Sequence, residues 1–171
     1  MFAAPALKKR GLSLRPAREA DASFQRALFE TARADAAILL AWPEAVRRPF
    51  LDQQFRFQTV HYAQVYPDAD RLLVLAQGAP VGRLIVSRAP AHWCLVDLAL
   101  MPAWRGRGIG TLLLKAVQAA ARRAGVPSFR LMVEPRNPAR RLYERLGFAE
   151  IADHQVGVEM EWRPAQADRV S

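Results

Sequence analysis

The sequence has little to offer metal or disulfide chemistry. Cys94 is the only cysteine in 171 residues, and there are three histidines. No disulfide can close within the chain, and no spacing resembles a zinc site. No apolar run approaches the ~20 residues that a membrane-spanning helix requires. The opening MFAAPALKKRG places its basic cluster after a very short apolar stretch, the wrong order for a secretory leader. These absences lead us to expect a soluble, cytoplasmic protein with no metal and no membrane partner. Lysine is scarce as well: Lys8, Lys9 and Lys115 are the only ones among 25 cationic side chains. The rest are arginines, whose planar forks suit phosphate.

About half of the residues are apolar and a quarter are charged, a globular composition. The length suits one domain, residues 1–171, with frayed tails at about 1–10 and 164–171. The formal charge of +9 has two readings: a basic, solvated surface, or a site for a polyanion or one highly charged small molecule. Aromatics are not interleaved with the basic residues as in readers of single-stranded nucleic acid, so nucleic acid is an unlikely partner.

Periodicity and punctuation divide the chain. Leu12–Arg15 alternates and stops at Pro16, predicting a strand. Asp21 can cap a helix with Phe24, Ala27 and Leu28 on one face. After Trp42-Pro43, Pro49 can open a second helix carrying Leu51, Phe55, Tyr62 and Val65. Leu72–Ala76 and Val81–Val86 predict a hairpin around Gly78-Ala79-Pro80. His92–Met101 predicts a longer strand. From Gly108 to Ala124, Ile109, Leu112, Leu113, Ala116, Val117 and Ala120 form an apolar stripe, with Lys115, Gln118 and Arg122 opposite. Gly125 ends that helix. Phe129–Val133 is a strand, Asn137 caps a short helix ending at Gly147, and Phe148–Ala152 and Val156–Trp162 form a closing pair. The order is β-α-α-β-β-β-α-β-α-β-β, a mixed α/β chain with a parallel strand–helix–strand unit at its centre.

The segment Arg105-Gly106-Arg107-Gly108-Ile109-Gly110-Thr111 lies between a strand and a helix. Glycines let backbone N–H groups converge on phosphate oxygens, and the helix start adds partial positive charge. A glycine-rich turn that merely tightens the joint is the plainer alternative. The glycines fall on every second position, unlike the dinucleotide fingerprint. No lysine stands before Thr111, as an ATP-binding P-loop would need.

Leu98-Ala99-Leu100-Met101-Pro102 followed by Arg105-x-x-Gly108-x-Gly110 resembles the acetyl-CoA-binding motif of the GNAT acetyltransferase superfamily, Q/R-x-x-G-x-G/A. Asn137 to Phe148, NPARRLYERLGF, is similar to that family's N-x-x-A-x-x-L-Y-x-x-x-G-F segment. The resemblance covers about Val96–Phe148. It implies a mixed α/β GNAT fold with splayed central strands, and transfer of the acetyl group of acetyl-CoA to a primary amine by direct attack. Leu98, Ala99 and Leu100 would line the pantetheine arm. Arg105, Gly106, Arg107, Gly108, Ile109, Gly110 and Thr111 would hold the pyrophosphate, with Arg140 beside them and Asn137 beside the cofactor arm.

In the family, the tyrosine matched by Tyr143 is the general acid for the leaving thiolate; a core aromatic is the alternative. Asp97 is a candidate base, or else a structural hydrogen-bonder, and His61 and His92 are weaker candidates. Gln54, Phe57, Gln58 and His61 on the second helix are candidate walls for the acceptor, a small amine or a peptide N-terminus. The apolar final strand Val156–Trp162 could pair across a subunit edge in a homodimer. The rival reading is a CoA- or nucleic-acid-binding module without transfer activity.

Overall fold

The structure is a computed structural model, and it describes residues 2, 5–33, 39 and 41–164. Seven strands form one mixed sheet: β1 (Leu12–Pro16), β2 (Asp70–Ala76), β3 (Ala79–Arg88), β4 (Trp93–Leu100), β5 (Phe129–Val133), β6 (Ala149–His154) and β7 (Gly157–Trp162). Their spatial order is β1-β2-β3-β4-β5-β7-β6. Every neighbouring pair is antiparallel except β4–β5, which is parallel. Among the described residues the α-helices with assigned bounds are α1 (Pro5–Lys9), α2 (Ala22–Arg33), α3 (Glu44–Val65), α4 (Ile109–Arg123) and α5 (Arg140–Arg145). The expected mixed α/β order is therefore present, with α1 added in front.

Strand alternation sends side chains to both faces of the sheet. On one face Leu72, Val74, Leu84, Val86, Leu131 and Met160 join Leu113, Leu114, Val117 and Ala121 of α4 in the main core. Leu73, Leu75 and Ile85 alternate with these and are buried on the other face, the side to which α2 and α3 bring Leu28, Phe29 and Leu51. Two stripes on one sheet thus commit both faces.

Several local expectations are corrected. Of the expected frayed tail at about 1–10, residues 5–9 are helical and Phe2 and Leu7 are buried, with Phe2 6.1 Å from Trp93 ring to ring; residues 1, 3 and 4 lie outside the described residues. The β2–β3 turn is Gln77-Gly78, at φ 50° and 85°, so Ala79 and Pro80 already belong to β3. This is the left-handed pair that a tight hairpin needs. Helix α3 starts directly after Pro43, and Pro49 lies inside it. The carbonyl that Pro49 leaves without a donor is that of Ala45; both residues line an open cleft where water can reach it. Gln118 is buried rather than solvated, and donates to the Leu146 carbonyl at 2.9 Å, tying α4 to the end of α5. Finally, β7 is paired on both sides, by β5 and β6, so it cannot extend a sheet across a subunit boundary. The strand at that edge is β6. The segment after Pro164 lies outside the described residues.

Gly82 on β3 sits opposite Leu100, and a Cβ there would come within 2.6 Å of both the Ala99 carbonyl oxygen and a Leu100 methyl. The obstruction is partly backbone, so it cannot simply turn away. Gly82→Ala is expected to destabilise the protein by about 1–3 kcal/mol, read as a lower urea midpoint. An unchanged midpoint would show that β3 and β4 can part without penalty.

Candidate active site

The site begins with a defect in the sheet. β4 pairs with β5 only through Trp93, Cys94 and Leu95. On its other side, β4 is bulged: Leu95 faces Val86 and Asp97 faces Ile85, so Val96 has no partner on β3. A bulge of one residue reverses which face each later side chain takes. Leu95 lies in the main core, whereas Asp97 turns to the α2–α3 face beside Ile85; Leu98 and Leu100 then return to the core side. Beyond Leu95 the strand runs on to Leu100 with no β5 partner. That opens a gap edged by backbone groups that need hydrogen bonds.

The glycine segment closes one end of this gap. Gly106 and Gly108 have φ of 71° and 74°, conformations that favour glycine, and nothing lies within 4 Å of where their Cβ atoms would be. Gly108 is the N-cap of α4 and no side chain caps it, so the first-turn N–H groups of Ile109, Gly110 and Thr111 remain available. Ile109 is itself buried and anchors the turn in the core. Gly110 serves packing: a Cβ there would lie 3.3 Å from Leu142 and 3.9 Å from Leu98, so its absence lets α4, α5 and β4 converge.

The arginines divide their duties. Arg105 donates to the Leu100 carbonyl at 2.9 Å and to Thr31 at 3.3 Å, bracing the turn against β4 and α2. Arg107 is exposed, with its guanidinium 5.1 Å from the Trp104 ring centre. Arg140 is bridged to Glu144 at 3.1 Å and Glu150 at 2.8 Å, so neutralising carboxylates already flank it. Asn137 accepts the Ala139 N–H on its side-chain oxygen at 2.9 Å and the Arg140 N–H on its carbonyl at 3.0 Å, folding the turn that precedes α5.

Tyr143 projects from α5 into the core, 5.9 Å from Phe148 ring to ring. Burial, and then the negative charge of Asp97, push its phenol up to about 12. It is therefore protonated throughout the neutral range. Asp97 is held by Arg83, whose Nε donates to Oδ2 at 2.7 Å. Burial raises the Asp97 carboxyl above the ordinary carboxylate range, against the opposing pull of Arg83. Arg83 was not among the residues expected from the sequence; only the pairing of β3 with β4 brings it there.

Of the candidate acceptor walls, Gln58 reaches this network, accepting from Arg83 Nη2 at 3.1 Å. Gln54 is half-buried, and Phe57 is 59% exposed. His61 is exposed on the same helix, its ring 6.2 Å from that of Tyr62. His92 precedes β4, at the end of the strand away from the glycine turn. A separate open cleft of about 990 Å³ lies between α2 and α3, lined by Arg26, Arg48, Asp52 and Phe55 among others, and contains none of the expected site residues.

Of the three tyrosines, Tyr66 and Tyr143 are both held near 12. Their folded-state values lie above the ordinary 10, so the stability they contribute is lost as pH rises from about 10 to about 12. An ultraviolet alkaline titration should show one late tyrosine fewer in Tyr143→Phe than in the wild type. A Tyr143 ionising near 10 would mean that its hydroxyl is solvated.

Residues 31–148 match the model of the acetyltransferase (GNAT) family. The [ribosomal protein bS18]-alanine N-acetyltransferase of Haemophilus influenzae is 39% identical over 57 residues, which is 33% of this chain and 39% of that enzyme. The chain thus aligns with about two fifths of that relative. The PaiA N-acetyltransferase of Thermoplasma acidophilum, solved with coenzyme A, superposes with a TM-score of 0.69 at 18% identity, over 90% of this chain and 99% of that one. The ribosomal-protein-S18-alanine N-acetyltransferase of Escherichia coli gives 0.62 at 18%, over 94% and 98%. At such identities these structures establish the shared fold. With the separated β4 and β5, the glycine turn at the start of α4 and a family match across most of its length, the chain belongs to the GNAT acetyltransferase family.

Proposed function

We propose that the protein is an acetyl-CoA-dependent N-acetyltransferase that passes the acetyl group directly to a primary amine, on a small molecule or a peptide N-terminus. The observation that supports this most is the unpaired edge of β4 from Val96 to Leu100, which runs into the open glycine turn at the start of α4. The residues suit acetyl-CoA. Backbone groups near Leu98, Ala99 and Leu100 would bond the amide-bearing arm, and the turn from Gly106 to Thr111 would take the pyrophosphate on backbone N–H groups, with Arg107 adding charge. Coenzyme A supplies the activated thioester.

The chain's own groups handle the protons. Asp97, with Oδ2 fixed by Arg83, would take a proton from the incoming ammonium on Oδ1, directly or through water. As the nitrogen bonds to the acetyl carbon and the carbon–sulfur bond breaks, Tyr143 would protonate the departing sulfur. A donor that stays neutral up to about 12 remains protonated at every working pH. The names of the two S18-alanine relatives support placing a peptide N-terminus among the acceptors.

Tyr143→Phe keeps the ring and its packing but removes the proton donor. Single-turnover acetyl transfer should slow by roughly 10- to 1,000-fold while acetyl-CoA affinity holds. Wild-type rates would reduce Tyr143 to a core aromatic. Gly108→Val would place a branched side chain in the open turn, at a backbone conformation that disfavours it. Calorimetry should show a marked loss of acetyl-CoA affinity in the folded variant, and unchanged affinity would remove the pyrophosphate from this turn.

A further inference from the structure

We infer that Arg83 is a positioning residue: it clamps Asp97 on β4 and, through Gln58, couples that carboxylate to helix α3 on the acceptor side. The inference rests on the reading of Asp97 as the base. Arg83 stands alone as a charged residue within the apolar run Val81–Val86, and it is only 5% exposed. Burying a guanidinium is unfavourable unless its hydrogen bonds are met. Two are met here, by acceptors on two different elements: Asp97 Oδ2 at 2.7 Å on β4, and Gln58 Oε1 at 3.1 Å on α3. A planar fork can hold both at once, whereas an ammonium offers no such fixed geometry.

The surrounding backbone is shaped to permit this contact. The bulge at Val96 turns Asp97 to the α2–α3 face, and Gly82 lets β3 lie close against β4 one residue before Arg83. Arg83 pairs in register with Ala99 and reaches diagonally to Asp97. The carboxylate is thereby fixed through one oxygen. Oδ1 has no hydrogen-bond partner among the described residues. Among the described residues the ionisable group acting on Asp97 is Arg83 from β3, the charge of Asp97 acts in turn on Tyr143 from α5, and α3 contributes a neutral amide that bonds Arg83. Arg83 is thus the one cation among them, and it sets how readily Asp97 holds a proton. A shift of α3 on acceptor binding would be felt at Asp97 through Gln58.

The test combines the pH dependence of kcat/KM with a carbon-13 NMR titration of the Asp97 carboxyl. In Arg83→Gln, Asp97 loses its counter-charge, so its titration and the acid limb of kcat/KM should both move upward by roughly 1–3 pH units. Arg83→Lys, which keeps the charge but not the fork, should move them less. Gln58→Ala should give a small upward shift in the wild type and none when residue 83 is already glutamine. An unmoved titration in folded Arg83→Gln would overturn the inference. If Arg83→Gln does not fold, a wild-type titration in Arg83→Lys would do the same. Asp97→Asn separates the two readings: an acid limb that survives it refutes Asp97 as the base, while the NMR titration still reports on the hold of Arg83.

Discussion

The rest of this structure depends on one interruption of hydrogen bonding. β4 and β5 separate after Leu95, and the backbone from Val96 to Leu100 is left with an edge that its own sheet does not satisfy. The residues of this edge are half-buried, and water or a ligand can complete the hydrogen bonds that the sheet does not. Neighbouring features hold the gap open in a defined shape. The Val96 bulge releases the strand from strict alternation. Gly82 admits β3 close on one side, and Gly110 admits α5 at the far end. Arg105 fastens the glycine turn to the Leu100 carbonyl, so the turn and the free edge stay in fixed relation.

Charge is distributed with the same economy. A net charge of +9 does not by itself make a broad cationic surface. Several of the arginines are paired: Arg15 with Asp21, Arg88 with Asp70, Arg130 with Glu161, Arg140 with Glu144 and Glu150. Exposed pairs of this kind contribute little stability each. Arg107 lies in the exposed glycine turn before α4, and the Arg83–Asp97 pair joins β3 to β4. Tyr143, neutral and buried, is influenced by Asp97 across the gap.

The elements were legible in the sequence where periodicity or punctuation is local. The α4 stripe, the glycine turn and the N-x-x-A-x-x-L-Y segment declare themselves within a few residues, and with them the order of strands and helices. What was not legible is non-local. Nothing near Val96 announces a bulge, yet the bulge decides which face Asp97 takes. Arg83 becomes the partner of Asp97 only through the β3–β4 register, and Gln58 joins them only because α3 crosses that face. Gln118 looked solvated by helical position, but α5 brings the Leu146 carbonyl over it. Pro49 read as a helix start because proline is favoured there; its tolerance inside α3 depends on an open cleft beside it. The short α1 is held by tertiary burial of Phe2 and Leu7 rather than by any strong helical signal.

The most direct measurement is amide hydrogen exchange with and without acetyl-CoA. If the free edge of β4 and the start of α4 hold the cofactor, exchange should slow selectively among Val96–Leu100 and Ile109–Thr111, while β1, β2 and β6 change little. Protection confined to another surface, or none at saturating acetyl-CoA, would contradict the account.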